Sequence, residues 1–274
     1  MQLNDPSGAG GSADATLIYD LQQALGIWSQ YIVGAGNLVV ALNIGSSTEG
    51  RASGGPTSTR FVSTSGGLNV YESVAEYELA GTGQFSGSAA DIAITVDPGY
   101  LQYLDLDPGL TAGSPLPADK LNPIAVFEHE LMHGFGMVSY RDQNGNLPGN
   151  YETNFDALVS KSASGAYFIG ATAEAAYGGP VPITTNSTDG ENYAHFGNQQ
   201  SDRNATPSTV QDPLTLDLMN GIVFFTGAYY GISNLDLAVL QDLGYTLRSK
   251  PSVTAQNVAA TRGQSLVLVR CGDG

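Results

Sequence analysis

The sequence predicts an α+β fold in which a twisted mixed sheet and amphipathic helices enclose one buried helix. Three observations predict it. Apolar residues recur at helical spacing near both ends, over 15–32 and again after Ser233. Short β-branched runs, Leu38–Ile44 and Asp91–Val96, lie between them. In the middle an apolar segment opening at Asn122-Pro123 contains His129-Glu130-Leu131-Met132-His133.

Residues 1–13, mostly Gly, Ser, Asp and Pro, read as a flexible lead-in. From Ala15 to Ile32 the residues Leu17, Ile18, Leu21, Leu25, Ile27, Trp28 and Ile32 mark one long helix, with Asp14 as its N-cap and Gly34 as its stop. Leu38–Ile44 is a strand closed by Gly45. The polar, Gly-rich stretch 50–67 fits a bulged strand or a loop, and 68–79 fits a helix or two short strands. Asp91–Val96 is a clearer strand, ended by Asp97-Pro98-Gly99. After a loop, Asn122 and Pro123 supply the cap and the first position of a helix that runs to about Gly134. Ile124, Ala125, Val126, Phe127, Leu131 and Met132 make that helix apolar on most sides, as burial through the centre of a domain requires. Downstream, 142–150 is turn-rich, 155–159 and 166–169 are short structured pieces, and 170–213 reads as irregular. Ser233 to Gly244 is a terminal helix with a Ser cap and a Gly stop. Residues 14–247 then form one domain, and 248–274 a linker or the start of a further module.

The chain has 274 residues, 42% hydrophobic and 13% charged, with a net charge of −16. Acidity of that size argues against nucleic acid as a partner. No run of eighteen apolar residues is present, so no membrane span is expected. The single cysteine, Cys271, excludes an internal disulfide. Low charge with abundant Gly, Ser, Thr and Asn suits a loop-rich protein that is secreted or held at the cell surface. Met1 to Ser12 lack the basic start and apolar stretch of a signal peptide, so the expectation is a signal outside these residues or another export route.

His129 and His133 are four apart, so a helix stacks both imidazoles on one face where they can bind a single ion, with Glu130 beside it. This pattern points to zinc hydrolysis. A catalytic zinc takes three protein ligands and keeps one position for water, whose pKa falls toward ~7. Glu130 is the candidate general base. The competing reading is two hydrogen-bonded core histidines; with 3 His in 274 residues a chance H-E-x-x-H is rare, and the sequence around the motif agrees with the metal reading.

The third ligand separates the possibilities. Ser139 stands where the compact pattern H-E-x-x-H-x-x-G-x-x-H would place a histidine. The remaining histidine is His195, in Tyr193-Ala194-His195-Phe196-Gly197. Glu152 competes, because Glu152 and Asp156 lie at the spacing from His133 that thermolysin-like enzymes use for a third ligand and its partner. That arrangement requires the motif helix to continue, whereas Gly134 and Gly136 would each cost about 1 kcal/mol in a helix interior. A left-handed helix end instead calls for glycine at 136. Asp217-Leu218-Met219-Asn220-Gly221 follows His195 and favours it further, since this segment resembles a Met-turn.

On His129 to Gly136, His195 and Met219 the chain resembles the metzincin zinc endopeptidases, in particular their leishmanolysin-like branch, where an insertion also separates the helix glycine from the third histidine. The resemblance implies an upper subdomain of twisted sheet and two helices, zinc at the floor of a cleft, and an irregular lower subdomain closed by a helix. It implies a protein or peptide substrate lying extended along an edge strand, for which Asp91–Val96 is the candidate, and a tyrosine supporting the oxyanion, for which Tyr193, Tyr229 and Tyr230 are available. Asp142, Asn144 and Asn146 fit part of a Ca2+ loop as well as a simple Asn-Gly turn. Two alternatives stay open beside the endopeptidase: a thermolysin-like peptidase using Glu152, and a non-catalytic adhesion or binding module that keeps zinc for structure.

Overall fold

A computed structural model of the chain describes residues 2–34, 36–47, 50–80, 89–185, 193–197, 214–221, 224–248 and 269–270. Its helices are α1 (Asp14–Trp28), α2 (Val74–Ala80), α3 (Pro123–Gly134), α4 (Ala171–Tyr177) and α5 (Asn234–Asp242). The strands are β1 (Gln2–Asn4), β2 (Ile32–Val33), β3 (Asn37–Leu38), β4 (Val40–Ile44), β5 (Ala52–Pro56), β6 (Thr59–Ser65), β7 (Leu68–Ser73), β8 (Ile92–Val96), β9 (Tyr151–Thr153), β10 (Val159–Ser162), β11 (Gly165–Phe168), β12 (Val181–Ile183), β13 (Thr246–Leu247) and β14 (Val269–Arg270). The fold is α+β, with several small sheets in place of a single large one.

The sheet nearest the motif helix has the order β1-β4-β8-β5, parallel from β1 to β8 and antiparallel at β5. Strands β4 and β8 both alternate buried and half-buried residues, and their register sets Val40, Leu42 and Ile44 beside Ile92, Ile94 and Val96. One face of the sheet is therefore an aliphatic layer, each side chain contributing about 1.5–3 kcal/mol by leaving water. Helix α1 packs along α3, with Leu17, Leu21, Ala24 and Trp28 buried at three- and four-residue spacing. Trp28 donates its indole N–H to the Glu128 carbonyl at 3.1 Å and meets Phe135 edge-to-face at 5.3 Å. These apolar residues join those of β11, β12 and α5 in one contiguous core.

Several expectations change in detail. Gln2–Asn4, read as part of a flexible lead-in, is a strand beside β4, followed by a turn in which Asp5 accepts from the amides of Ala9 and Gly10. Helix α1 ends at Trp28, before Ile32, and Asp14 is its first residue, while the cap position is Ala13. Stretch 68–79 is half strand and half helix, β7 running directly into α2. The strand expected to bind substrate, β8, is interior; the sheet ends at β5. Within 170–213, read as irregular, lie α4 and β12. Residues 249–268 and 271–274, Cys271 among them, lie outside the described residues, as do 186–192 and 198–213. No helix among the described residues is long and apolar enough to cross a membrane.

Two smaller sheets flank this layer. β6 and β7 form a hairpin through Gly66 and Gly67, both at positive φ as a tight two-residue turn demands, and β9 joins parallel to β7. β10, β11 and β12 make an antiparallel meander, beside which α4 packs on α5. The Asp242 carboxylate of α5 accepts from the amides of Thr172 and Ala173, so α5 supplies the cap that α4 lacks locally.

Candidate metal centre

Helix α3 starts where Asn122 accepts from the Ile124 amide at 2.9 Å with Pro123 behind it. It is buried nearly throughout, so its end needs internal partners. Gly134 is its last residue. A Cβ there would lie 2.5 Å from Ile92 Cδ1, so this glycine lets α3 cross closely under β8, and the helix break falls two residues later. Gly136 has φ +118°, and the chain reverses so that Met137 donates to the Met132 carbonyl at 3.2 Å.

That reversal orients the second histidine. The Met137 carbonyl lies 2.7 Å from His133 Nδ1, and the Leu218 carbonyl lies 2.6 Å from His129 Nδ1. A carbonyl only accepts, so both Nδ1 atoms carry the proton and both Nε2 atoms hold a lone pair. The three Nε2 atoms of His129, His133 and His195 form a triangle with sides of 3.1, 3.1 and 3.2 Å. Lone pair facing lone pair at that distance repels unless a cation lies between them. Tetrahedral zinc, with Zn–N of about 2.0–2.1 Å, spaces its nitrogens roughly 3.3–3.4 Å apart, so the donor set fits the ion in type and spacing, and His129 and His133 fit it in tautomer as well.

His195 is mounted by backbone pairing on both sides. Its carbonyl accepts from Thr184 N at 3.0 Å, just beyond β12, and Tyr193 N donates to the Thr184 carbonyl at 2.8 Å. Phe196 N donates to the Met219 carbonyl at 2.7 Å, and Gly221 N donates to the Phe196 carbonyl at 2.7 Å. Met219 itself is fully buried in this turn. Asp217 braces this turn, accepting from Met219 N and from Ser233 Oγ, both at 2.9 Å. Ser233 and Asp236 form the capping box of α5, so the turn and that helix share their polar contacts. Burial, and then the neighbouring Asp217 carboxylate, hold Asp236 well above the usual carboxylate range.

Glu130 is buried, and Gly54 of β5 lies directly on it: a Cβ at position 54 would be 2.6 Å from Glu130 Cβ. The sheet's terminal strand thus passes over the carboxylate-bearing turn of α3. Phe224 meets the His129 ring edge-on at 5.4 Å and stacks on Tyr230 at 3.9 Å. Tyr230 accepts from Phe225 N, and burial pushes its phenol up to about 12. Tyr229 is largely exposed, and the Tyr193 phenol packs against Gly145.

Among the described residues, the His/Cys/Asp/Glu group whose ligand atoms gather is His129, His133 and His195; Glu152 is not part of it. Glu152 sits on β9, paired with Val70, and Asp156 accepts from Ser139 Oγ, Tyr140 N and Thr153 N. Asp156 therefore serves the loop after α3, and Glu152 lies where β9 pairs with β7. Asp142 accepts from the amides of Asn144 and Asn146 and from the Asn146 side chain, while Lys161 donates to the Asn144 carbonyl. This is the hydrogen bonding of an Asn-Gly turn, with a lysine ammonium already beside it. Sequence reasoning missed the Leu218 and Met137 carbonyls, which leave no signature in residue type. Comparison with known protein families, curated proteins and solved structures finds no match in any of the three, so the chemistry rests on this geometry.

Proposed function

We propose that this protein is a zinc-dependent endopeptidase of the metzincin type, acting on polypeptides at the cell surface or after secretion. The observation that carries the reading is the convergence of three imidazole Nε2 atoms, two of them from one helical turn, with Glu130 between those two in sequence and under the edge of a sheet. His129, His133 and His195 are the ligands that would hold zinc. Zinc supplies Lewis acidity, bringing the pKa of water toward ~7 and polarising a carbonyl.

The chain's own residues supply the rest. Glu130 takes a proton from the attacking water onto its carboxylate and passes it to the departing amine nitrogen, which balances the hydrolysis of one peptide bond. β5 ends the sheet, and a substrate strand adds to it through backbone hydrogen bonds. Gly54 lets that strand lie within reach of Glu130. The Leu218 and Met137 carbonyls hold the two helical imidazoles with Nε2 outward. The gathering of His195 with the two helical histidines, without Glu152, and the end of α3 at Gly134 support the metzincin reading over the thermolysin-like one.

The test is Glu130→Gln. The variant is expected to bind zinc as the wild type does and to lose about 10²–10⁴-fold in cleavage of unfolded protein substrates. Full activity in Glu130→Gln would sink the mechanism. Zinc-loaded wild-type protein that cleaves nothing in a broad peptide library would favour the binding-module reading instead.

A further inference from the structure

We infer that Tyr193 is the positioning residue for the third ligand: the 141–146 loop and Lys161 clamp its ring, and this clamp sets where His195 presents its imidazole. The inference rests on the metal reading of His195. Tyr193 has φ 65°, the one positive φ at a non-glycine position among the described residues. Tyrosine has no short polar side chain to ease a left-handed backbone, so tertiary contacts must hold it there.

Those contacts are visible. The Tyr193 side chain is buried, and Gly145 lies over it so closely that a Cβ on Gly145 would be 2.5 Å from the phenol oxygen and would also meet Lys161 Nζ. Lys161 Nζ lies 5.6 Å from the Tyr193 ring centroid and donates to the Asn144 carbonyl at 2.5 Å. Arg141 donates to the Gly145 carbonyl at 3.1 Å, which fixes the other side of the loop. The ring is thus held by a loop that begins shortly after α3 and by a side chain on β10.

One residue, Ala194, separates this clamp from the imidazole-bearing residue. Tyr193 N and the His195 carbonyl both pair with Thr184, so the segment 193–195 is fastened at each end and its twist is decided at Tyr193. His129 and His133 need no such device, because one helix sets their spacing. His195 comes from a distant part of the chain; among the described residues it lies in no helix or strand, and the Met219 turn ties it to α3 on one side through Phe196 and the Leu218 carbonyl. The loop supplies a second tie on the other side, since it leaves α3 through Gly136 and returns to touch Tyr193.

Zinc affinity, read by chelator competition on folded protein, tests this. His195→Ala is the reference and is expected to lose zinc; wild-type affinity there would bring down the metal reading itself, independently of Tyr193. Tyr193→Gly removes the ring and relieves the backbone together, and is expected to weaken zinc about 10–100-fold, as loss of a supporting contact does. Tyr193→Phe keeps the ring and should stay within about threefold of wild type. Lys161 is exposed, so Lys161→Ala folds even if Tyr193→Gly does not, and it is expected to cost about 3–10-fold. The cobalt-substituted Lys161→Ala protein should also show a shifted ligand-field spectrum, which loss of global stability would not produce. The inference is overturned if His195→Ala loses zinc while Tyr193→Gly and Lys161→Ala both bind it within about twofold of wild type.

Discussion

Replacing Glu76 by Gln should change how stability depends on pH, because Glu76 is a carboxyl the fold keeps protonated. It lies on α2, 2% exposed, with Oε1 accepting from Asn154 Nδ2 at 2.5 Å and Oε2 without a hydrogen-bond partner among the described residues. Burial pushes it from the ordinary 4.5 to about 8, against the opposing pull of the Asn154 amide. Between those values the folded protein holds a proton that the unfolded chain has released. Stability from this group is therefore complete below 4.5 and is lost as pH rises through the window to about 8. One proton corresponds to about 1.4 kcal/mol per pH unit, falling to half of that at pH 8, so the loss between pH 6 and pH 8 is about 2 kcal/mol. Gln keeps the oxygen that Asn154 uses and has nothing to release. Urea unfolding of the zinc-saturated protein at pH 6, 7 and 8 should give a fall for the wild type that is roughly 1 kcal/mol per unit steeper than for Glu76→Gln. Parallel curves for the two proteins would refute the reasoning, since zinc and every other titrating group are common to both.

Three further outcomes follow from the packing around α3. Gly134→Ala should destabilise the protein by about 1–3 kcal/mol through the clash with Ile92, although alanine is the better helix former, and most of that cost should vanish in an Ile92→Ala background; equal cost in both backgrounds, read by urea unfolding, would show that Ile92 is not the obstacle. Gly54→Ala should push β5 off Glu130 and lower kcat/KM on long peptides about 10- to 100-fold with zinc content unchanged, and unaltered kinetics would separate β5 from the substrate. Stripping zinc with a chelator should remove about 4 kcal/mol of unfolding free energy relative to protein held at a thousand times Kd, so a urea midpoint that does not move would mean that the three histidines hold no ion.

The elements that were legible in the sequence are those whose causes are local. α3 follows from the Asn122 cap, Pro123 and a continuous apolar run, and α5 from the Ser233–Asp236 capping box. β4 and β8 follow from alternation, which reports that one face is buried but not where a strand lies in its sheet. For that reason β8 read as an edge strand although β5 holds that place. Ala52-Ser53-Gly54-Gly55-Pro56 has almost no strand propensity; it is a strand because β8 offers it a ladder and because only glycine can lie on Glu130. β1 pairs in parallel with a strand far along the chain, and α4 takes its cap from Asp242, so neither has a local signal strong enough to read.

The site divides along the same line. His129 and His133 are brought together by helical spacing, which any sequence displays openly. His195 was reachable by elimination, as the last histidine left once Gly134 and Gly136 ended the helix. The two glycines turn out to act differently: Gly134 permits contact with Ile92, and Gly136 alone makes the reversal. That reversal brings the Met137 carbonyl back to His133 Nδ1, and the Met219 turn brings the Leu218 carbonyl to His129 Nδ1. Both imidazoles are thus oriented by carbonyls, which every residue type possesses. A backbone acceptor imposes no choice of side chain at 137 or 218, so the tautomers that suit these histidines to bind a metal were settled by the path of the chain and could be seen only once that path was known.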